Sequence, residues 1–490
     1  MHEPKAATEK AKDLVRMAVA KARLIEPLQS KLLDITRRGL VIGGGISGMT
    51  AALGLAQEGY EVYLVEKEPK LGGNLRHIYY TLEGKDTQKF LNELIQKVQS
   101  NDKIQIFTNA EIDKIDGFVG NFKTTIKVSK EPKGANQTHE LEHGIIIVAT
   151  GAEEYKPTEY LYGKDTRVIT QRELEKRLSN SQSPVSNFQS IVMIQCVGSR
   201  SDEHPYCSRV CCSEAIKNAI KLKEKNKDTN IYILYRDIRT YGFKETYYQK
   251  ACELGVVFIR YEEGNEPEVR KNGKNIEVLV EDLILHEKLL INADLLVLST
   301  ATVAPSANDK IAKMLKVPLN EDGFFLEAHM KLRPVDFATD GIFLAGLAHG
   351  PKFIEESISQ AYAAVARACT ILSKDFIEAP ATVAEVNERK CVACGLCEAV
   401  CAYGAIQLIT KKTIVGEKAV AEINEALCKG CGTCVASCRS GSIDLRGFTT
   451  EEIVSQIGAM RDFEEKIKTA MSLQSFAQAG TRALENAITK

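Results

Sequence analysis

Leu40-Val41-Ile42-Gly43-Gly44-Gly45-Ile46-Ser47-Gly48 is a short apolar run that feeds directly into a glycine loop. The run reads as a buried strand, Met49 to Glu58 as a helix, and Glu61 to Val65 as a second strand ending in Glu66. A lone G-x-G-x-x-G carries little weight. Set between strand and helix, with an acid closing the next strand, it predicts a dinucleotide site. Gly43 permits the tight turn, Gly45 lets the backbone approach a pyrophosphate, and Gly48 lets the helix lie close to the strand. Ser47 belongs to the same loop and is counted as a cofactor contact. The helix N-terminus adds roughly half a positive charge facing the phosphates. Glu66 is placed to accept ribose hydroxyls and to repel a 2'-phosphate.

The residues beyond Glu66 favour FAD over NAD. Leu71-Gly72-Gly73-Asn74-Leu75 puts a second glycine pair just past the acid, where Gly73 and Asn74 would let the chain pass beside a flavin. Gly144 to Val148 is a buried strand running into Ala149-Thr150-Gly151, a turn typical of two-dinucleotide-domain flavoproteins. Asp340 to Leu344 reads as another strand, followed by the turn Ala345-Gly346-Leu347-Ala348. After it, Ile354 to Ala368 reads as a helix whose N-terminus would face the flavin pyrimidine ring and stabilise negative charge on the reduced form. These signals occur in the order of a thioredoxin-reductase-like flavoprotein. The acid usually found beside the Ala-Gly turn is replaced by Leu347.

Between the two flavin-binding halves, about 190 to 290, the strands Ile191–Ile194, Ile231–Tyr235 and Val256–Ile259 alternate with helices, as in a nucleotide-binding insert. The loop that should hold a nicotinamide dinucleotide instead runs Gln195-Cys196-Val197-Gly198-Ser199-Arg200-Ser201-Asp202-Glu203-His204-Pro205-Tyr206-Cys207-Ser208-Arg209-Val210-Cys211-Cys212. One glycine and four cysteines suit iron and sulfur better than a pyrophosphate. Cys207, Cys211 and Cys212 are close enough in sequence to share a cluster, with Cys196 as the natural fourth ligand. Adjacent cysteines both bind only if the backbone turns sharply. The alternative is a redox-active dithiol, but that chemistry favours C-x-x-C or C-x4-C beside the flavin. Arg236 and Arg239 are remnants of phosphate binding or, better, residues that are solvated or make partner contacts. Cys252 and Cys369 stand alone in apolar helical settings and are expected in the core.

Cys391, Cys394, Cys397 and Cys401 have C-x2-C-x2-C-x3-C spacing, and Cys428, Cys431, Cys434 and Cys438 repeat it 37 residues later. In a two-cluster ferredoxin the fourth cysteine crosses over. One [4Fe-4S] cluster is therefore expected on Cys391, Cys394, Cys397 and Cys438, and another on Cys428, Cys431, Cys434 and Cys401. Two zinc sites would leave the repeated spacing unexplained. Ala402 and Arg439 replace the usual proline after the fourth cysteine.

At 490 residues, 44% of them hydrophobic, the chain is long enough for two or three cored domains. A net charge of -1 offers no electrostatic case for nucleic acid, and no apolar run approaches the ~18 residues of a membrane span. Twelve of fourteen cysteines in metal-ligand clusters point to a reducing cytoplasm. The expected division is a helical segment 1–37, a first FAD-binding half 38–190, an insert 191–290, a second FAD-binding half 291–380, a ferredoxin domain 381–447 and a helical tail 448–490. Leu14, Val15, Ala18, Ala22 and Ile25 recur at helical spacing before a break at Pro27, on a face suited to packing. The pattern runs to the first residues, so a preceding domain is expected upstream or on another polypeptide. In the tail, Ile453, Ile457, Met460, Phe463, Ile467 and Met471 read as a docking helix.

With its flavin loop, the CVGSR and YCSRVCC segments, GFKETYY at Gly242–Tyr248 and a double-cluster ferredoxin after the flavin domain, the chain resembles the HdrA-like family, the FAD and iron–sulfur subunits of heterodisulfide reductases. The resemblance covers most of residues 1–447. It implies an α/β, thioredoxin-reductase-like two-dinucleotide-domain flavoprotein with an appended two-[4Fe-4S] ferredoxin domain and helical termini. It implies an FAD that divides an incoming electron pair, one electron going to a higher-potential acceptor through partner subunits and one to ferredoxin. Cys196, Cys207, Cys211 and Cys212 match the family's inserted cluster motif, and Lys352, in Gly350-Pro351-Lys352, matches a position near the flavin ring and is the candidate catalytic residue. The implied partners are the other subunits of such a complex, a hydrogenase or dehydrogenase donor subunit, and a second copy of the chain. The family's N-terminal cluster domain has no counterpart here. Two other functions compete: an NAD(P)H-dependent flavin reductase, in which NADH alone bleaches the flavin, and a relay that passes electrons without dividing them.

Overall fold

The computed structural model describes residues 3–129, 137–180, 188–273, 275–413 and 416–460. The chain forms two compact units, Asp34–Asp375 and, from both ends of the sequence, Met1–Leu33 with Phe376–Lys490.

The Asp34–Asp375 unit uses one plan twice. Its first sheet has five parallel strands in the order Ile342–Leu344, Ile145–Val148, Arg38–Ile42, Glu61–Val65 and Ile104–Phe107. Its second has five in the order Val168–Thr170, Leu295–Thr300, Ser190–Val197, Asn230–Tyr235 and Val256–Arg260, also parallel. Each is accompanied by a three-stranded antiparallel sheet, residues 110–143 in the first case and 268–293 in the second.

The reason lies in residue parity. Successive strand residues point to opposite faces, and a sheet buried on both faces needs apolar residues at every position. Val41, Leu64, Ile145 and Ile147 face a helical layer, while Leu40, Ile42, Ile146 and Val148 face Ile112, Phe122 and Ile126 of the antiparallel sheet. In the second sheet Ile191, Met193, Ile231 and Ile233 pack on the helix Cys211–Lys225, and Val192, Ile194, Leu296 and Leu298 pack on Ile276 and Val278. The glycine loop opens the helix Ile46–Gln57, which lies against the helix Ile354–Leu372.

In the other unit, Ala384–Val386 pairs antiparallel with Ile443–Leu445, and Ile406–Thr413 with Gly416–Ile423. The short helices Leu396–Ala399 and Thr433–Ser437 each carry one cysteine of a repeat. Lys31–Asp34 and Phe376–Ala379 form a two-stranded sheet, so the ends of the chain meet within this unit.

The N-terminal expectation is corrected in part. The helix spans Pro4–Ala22, ending short of Pro27, and the strand Lys31–Asp34 occupies part of the segment read as helical, because its residues find an edge to pair with. Leu14, Val15 and Val19 are exposed, although the helix adjoins Thr450–Gly458. That second helix is closed by a capping box of Thr449 and Glu452 and includes Ile453 and Ile457. Met460 lies beyond its end, and Phe463, Ile467 and Met471 lie outside the described residues.

Candidate functional site

The glycine loop opens on a cavity of 710 Å³ lined by Gly43, Gly45, Ser47, Glu66, Gly73, Asn74, Ala149, Thr150 and Gly151, with Leu347 and Asn308 among the other walls. Gly43 has φ +109°, and a Cβ there would meet the Ala149 carbonyl oxygen at 2.2 Å. Gly45 has ordinary backbone angles, and a Cβ on it would meet no protein atom within 4 Å. Its missing side chain is a cradle facing the cavity. Gly48 does not line the cavity. It sits where a Cβ would lie 1.8 Å from the Gly43 carbonyl oxygen, which is the close approach of helix and strand expected from its position. Gly346 is likewise behind the wall, its N–H donating to Gln360 Oε1 at 2.8 Å.

Glu66 is buried. It accepts the N–H of Gly44 at 2.6 Å and that of Glu68 at 2.8 Å, which fixes the carboxylate at the end of its strand. Asn74 Nδ2 donates to the Ala152 carbonyl at 2.8 Å, and Thr150 Oγ1 to Asn308 Oδ1 at 3.1 Å. The cavity's size, its backbone cradle and its ribose-side acid fit a bound dinucleotide such as FAD.

A second cavity of 160 Å³ shares Asn74, Glu154, Arg172 and Leu347 with the first and is also lined by Lys352, Phe353, Ile354, Ser213, Glu214 and Lys217. The N-terminus of the Ile354–Leu372 helix therefore faces a space adjoining the dinucleotide cavity. Burial holds Lys352 down at about 8 and pushes the Glu214 carboxyl up to about 7.

The cysteine loop starts where the strand Ser190–Val197 bends. Cys196, Arg200 and Arg209 all have φ between +57° and +64°, three residues with side chains in left-handed backbone within one loop. Such positions cost of order 1–3 kcal/mol each and persist only when the surroundings enforce them. The turn at Arg209 delivers the chain into a helix that begins at Cys211, two residues ahead of the expected Ser213, so Cys211 and Cys212 lie in its first turn. Both therefore sit in regular helical backbone, and the left-handed turn precedes them rather than parting them.

The four thiols act on one another electrostatically. Burial raises Cys196 to about 11, with Cys212 and Cys207 adding to the effect. A hydrogen bond within the Cys211–Cys212 pair raises Cys211 and lowers Cys212, so Cys212 loses its proton first. Cys207 Sγ accepts the N–H of Arg209 at 3.3 Å.

Arg209 also donates from Nη1 to the Pro351 carbonyl at 3.1 Å and from Nη2 to Glu356 Oε1 at 2.7 Å. One side chain thus clamps the cysteine loop to the Lys352 turn. Sequence reading missed it, since nothing in residues 209 and 351 marks them as neighbours. Arg236 is tied to the Arg200 carbonyl and to Glu263, and Arg239 lies near Asp237, so neither is poised for a phosphate.

In the ferredoxin region, Cys391, Cys394, Cys397 and Cys438 line one small cavity. Cys401, Cys428, Cys431 and Cys434 also stand together, the charges of the first three raising the Cys434 thiol after burial has done so. The backbone donors obey the 37-residue repeat. Ala421 N–H points to Cys391 Sγ at 3.5 Å and Ala384 N–H to Cys428 Sγ at 3.4 Å, so each repeat donates to the other's first cysteine. Ala405 and Ser442 donate to Cys401 and Cys438, each at 3.3 Å. Sulfur atoms that accept a backbone N–H suit cluster thiolates. Among the described residues no His, Cys, Asp or Glu set closes on a single-ion site. A cubane holds its thiolates wider apart than one ion does, and it is the group these loops suit.

The expectation for Cys252 is corrected. It is exposed on the helix Glu245–Glu253, whose buried position is taken by Ala251. Cys369 is half-buried against the first core layer. Among the described residues no helix is long and apolar enough to cross a membrane.

Two family models match the chain: pyridine nucleotide-disulphide oxidoreductase over residues 37–194 and 4Fe-4S dicluster domain over residues 390–442. The chain is 39% identical to an A-type iron–sulfur subunit of the CoB–CoM heterodisulfide reductase of Methanopyrus kandleri, over 84% of this chain and 76% of that protein. It is 36% identical to the A-type subunit of the H(2):CoB-CoM heterodisulfide,ferredoxin reductase of Methanothermobacter thermautotrophicus, over 83% and 75% respectively. Among solved structures, Lactococcus lactis thioredoxin reductase overlays with a TM-score of 0.47 at 18% identity, covering 69% of this chain and 99% of that one. The chain is an oxidoreductase subunit that uses FAD and carries [4Fe-4S] clusters in its ferredoxin domain. With the glycine-loop cavity, the cysteine insert and the paired cluster motifs in one polypeptide, and with this extent of identity, the chain belongs to the HdrA family of heterodisulfide reductase subunits.

Proposed function

We propose that the chain takes an electron pair from a hydrogenase or dehydrogenase subunit of its complex and divides it, sending one electron to a disulfide or other higher-potential acceptor and the other to ferredoxin. The observation that carries this reading is the Arg209 clamp, which ties a cysteine ligand loop to the turn beside the dinucleotide cavity. Val210 and Ser213, which flank Cys211 and Cys212, line the adjoining 160 Å³ cavity, so a cluster held by that loop would give the flavin a nearby one-electron exit.

In this reading Gly43, Gly45, Ser47, Glu66, Gly73, Asn74, Ala149, Thr150 and Gly151 contact FAD, and Gly48 and Gly346 shape the wall. Lys352 faces the ring. Cys391, Cys394, Cys397 and Cys438 hold one [4Fe-4S] cluster, Cys428, Cys431, Cys434 and Cys401 a second, and Cys196, Cys207, Cys211 and Cys212 a third. The relatives' names specify CoB–CoM heterodisulfide and ferredoxin, the first pair of acceptors to try. The six-part domain division stands as our reading, as do a homodimer within a larger complex and, from the cysteine clusters, a reducing cytoplasm.

The test is iron and FAD content after anaerobic purification, then ferredoxin reduction with partner subunits. About twelve irons per FAD, falling by about four in Cys212→Ser, is expected for three clusters. Ferredoxin should be reduced only while the disulfide acceptor is also present. Ferredoxin reduction without that acceptor would mean an undivided relay, and bleaching of the flavin by NADH alone would mean a pyridine-nucleotide reductase.

A further inference from the structure

Behind Lys352 stands a row of polar side chains that the proposed electron path does not use. Lys352 Nζ donates to the Gly346 carbonyl at 2.8 Å and, at 3.3 Å each, to the Gly350 carbonyl and to His349 Nδ1. On the far side of the ring, His349 Nε2 lies 2.7 Å from Glu327 Oε2. An ionised carboxylate only accepts, so Nε2 carries the proton and Nδ1 presents a lone pair. Gln360 agrees with this assignment. Its Oε1 accepts the Gly346 N–H at 2.8 Å, which leaves its NH₂ group facing His349 Nδ1 at 3.1 Å. Lys352 and Gln360 therefore share the one Nδ1 lone pair. At one end Lys352 lines the cavity beside the flavin site, and at the other the His349 side chain is 28% exposed.

We propose that Lys352 is the proton donor and acceptor for the flavin, and that His349 and Glu327 are positioning residues through which that proton exchanges with solvent. The inference rests on the reading that FAD fills the adjoining cavity with its ring at Lys352. The row moves protons only. When two electrons arrive from a reductant, one proton leaves Lys352 Nζ for the flavin. A solvent proton taken up at Nδ1, the ring's one unprotonated nitrogen, with the added charge balanced by Glu327, then passes to the lysine amine. The sum is two electrons and one proton gained by the flavin, with the chain returned to its starting state.

The surroundings favour such exchange near neutral pH. Lys352 faces His349 and Glu327 on one side and, on the other, Glu356 of the Ile354–Leu372 helix and Arg209 of the cysteine loop. Burial draws the lysine down, Glu356 and Glu327 oppose this, and Arg209 adds to it. Burial also lowers His349, with Lys352 acting in the same sense and Glu327 against it.

The test uses the full chain with FAD content measured first, so that a chain without FAD defeats the underlying reading and is recognised as doing so. In the oxidised protein, deuterium exchange at the His349 ring carbon, read by mass spectrometry against pH, reports its titration. Lys352→Met should raise the midpoint by removing a neighbouring cation, and Glu327→Gln should lower it. In reduction by dithionite, the wild-type rate should fall as pH rises through about 8. His349→Gln should slow reduction by about 100-fold, added imidazole should restore it, and Lys352→Met should abolish the pH step. A His349 midpoint that neither variant moves overturns the proposal. So does a His349→Gln protein that reduces at the wild-type rate, or slowly without response to imidazole. If His349→Gln does not fold, the exchange measurement on the other two variants decides.

Discussion

Gly45 and Gly48 sit three residues apart in one loop, yet alanine at each should fail for opposite reasons. At Gly45 the backbone is ordinary and a Cβ meets no protein atom within 4 Å, so Gly45→Ala should leave the thermal midpoint of flavin-free protein unchanged. The added methyl is small beside a 710 Å³ cavity, but it stands between the backbone N–H groups and the pyrophosphate. Losing one hydrogen bond to a charged group, about 1.5–3 kcal/mol, weakens FAD binding roughly 10- to 150-fold. At Gly48 the methyl would lie 1.8 Å from the Gly43 carbonyl oxygen. Helix propensity returns about 1 kcal/mol, whereas forced overlap costs about 1–3 kcal/mol. Gly48→Ala should therefore lower the flavin-free midpoint by up to a few degrees. The assays are fluorescence titration of deflavinated protein with FAD and calorimetry of the same samples. A Gly45→Ala protein that binds FAD as the wild type does, or that melts early like Gly48→Ala, refutes the assignment of Gly45 to the phosphate cradle.

Three further outcomes are expected. Arg209→Lys keeps the charge but loses the fork that joins the cysteine loop to Pro351, Tyr241 and Glu356; iron content should hold while flavin-to-cluster transfer, followed by rapid-mixing spectroscopy, slows by about 100-fold if the two sides drift by of order 1 Å. Glu175 is fully buried, pairs with Lys217 at 2.8 Å and accepts the N–H groups of Tyr79 and Tyr80. Glu175→Ala strands all three and should cost about 3–5 kcal/mol in urea unfolding, with Glu175→Gln costing less. Hydrogen bonds from Arg167 hold the Asp165 carboxyl well below the usual carboxylate range. A carboxyl depressed on folding adds stability that is present in full above its unfolded value and is lost as pH falls towards its folded value. Urea midpoints between pH 5 and 2 should therefore fall less steeply in Arg167→Met than in the wild type.

The flavin half and the ferredoxin half were legible because their chemistry is local in sequence. A glycine loop, its helix and its acid lie within Leu40 to Glu66, and eight cysteines state their own spacing twice. The strand Glu61–Val65 was read at its true ends, since parallel strands buried on both faces are uninterrupted apolar runs. What escaped was made by topology. Glu327 and His349 are 22 residues apart, and Arg209 and Pro351 are 142 apart. No periodicity links such pairs. They meet because the second sheet returns the chain beside the first. Cys252 was misplaced for a different reason: a short helix with one buried residue, Ala251, gives too little periodicity to tell its inner face from its outer one.

The strand pairing between Lys31–Asp34 and Phe376–Ala379 has a consequence for the order of synthesis. Once Leu33 has been translated, its strand must wait for residues up to Phe376, 343 positions later, before its partner exists. At about 5–20 residues per second that wait is roughly 17 to 70 seconds. The whole Asp34–Asp375 unit is synthesised in the interval. A chain truncated after residue 375 should thus carry a folded flavin unit with a protease-sensitive segment before Asp34, and extension past Ala379 should protect that segment.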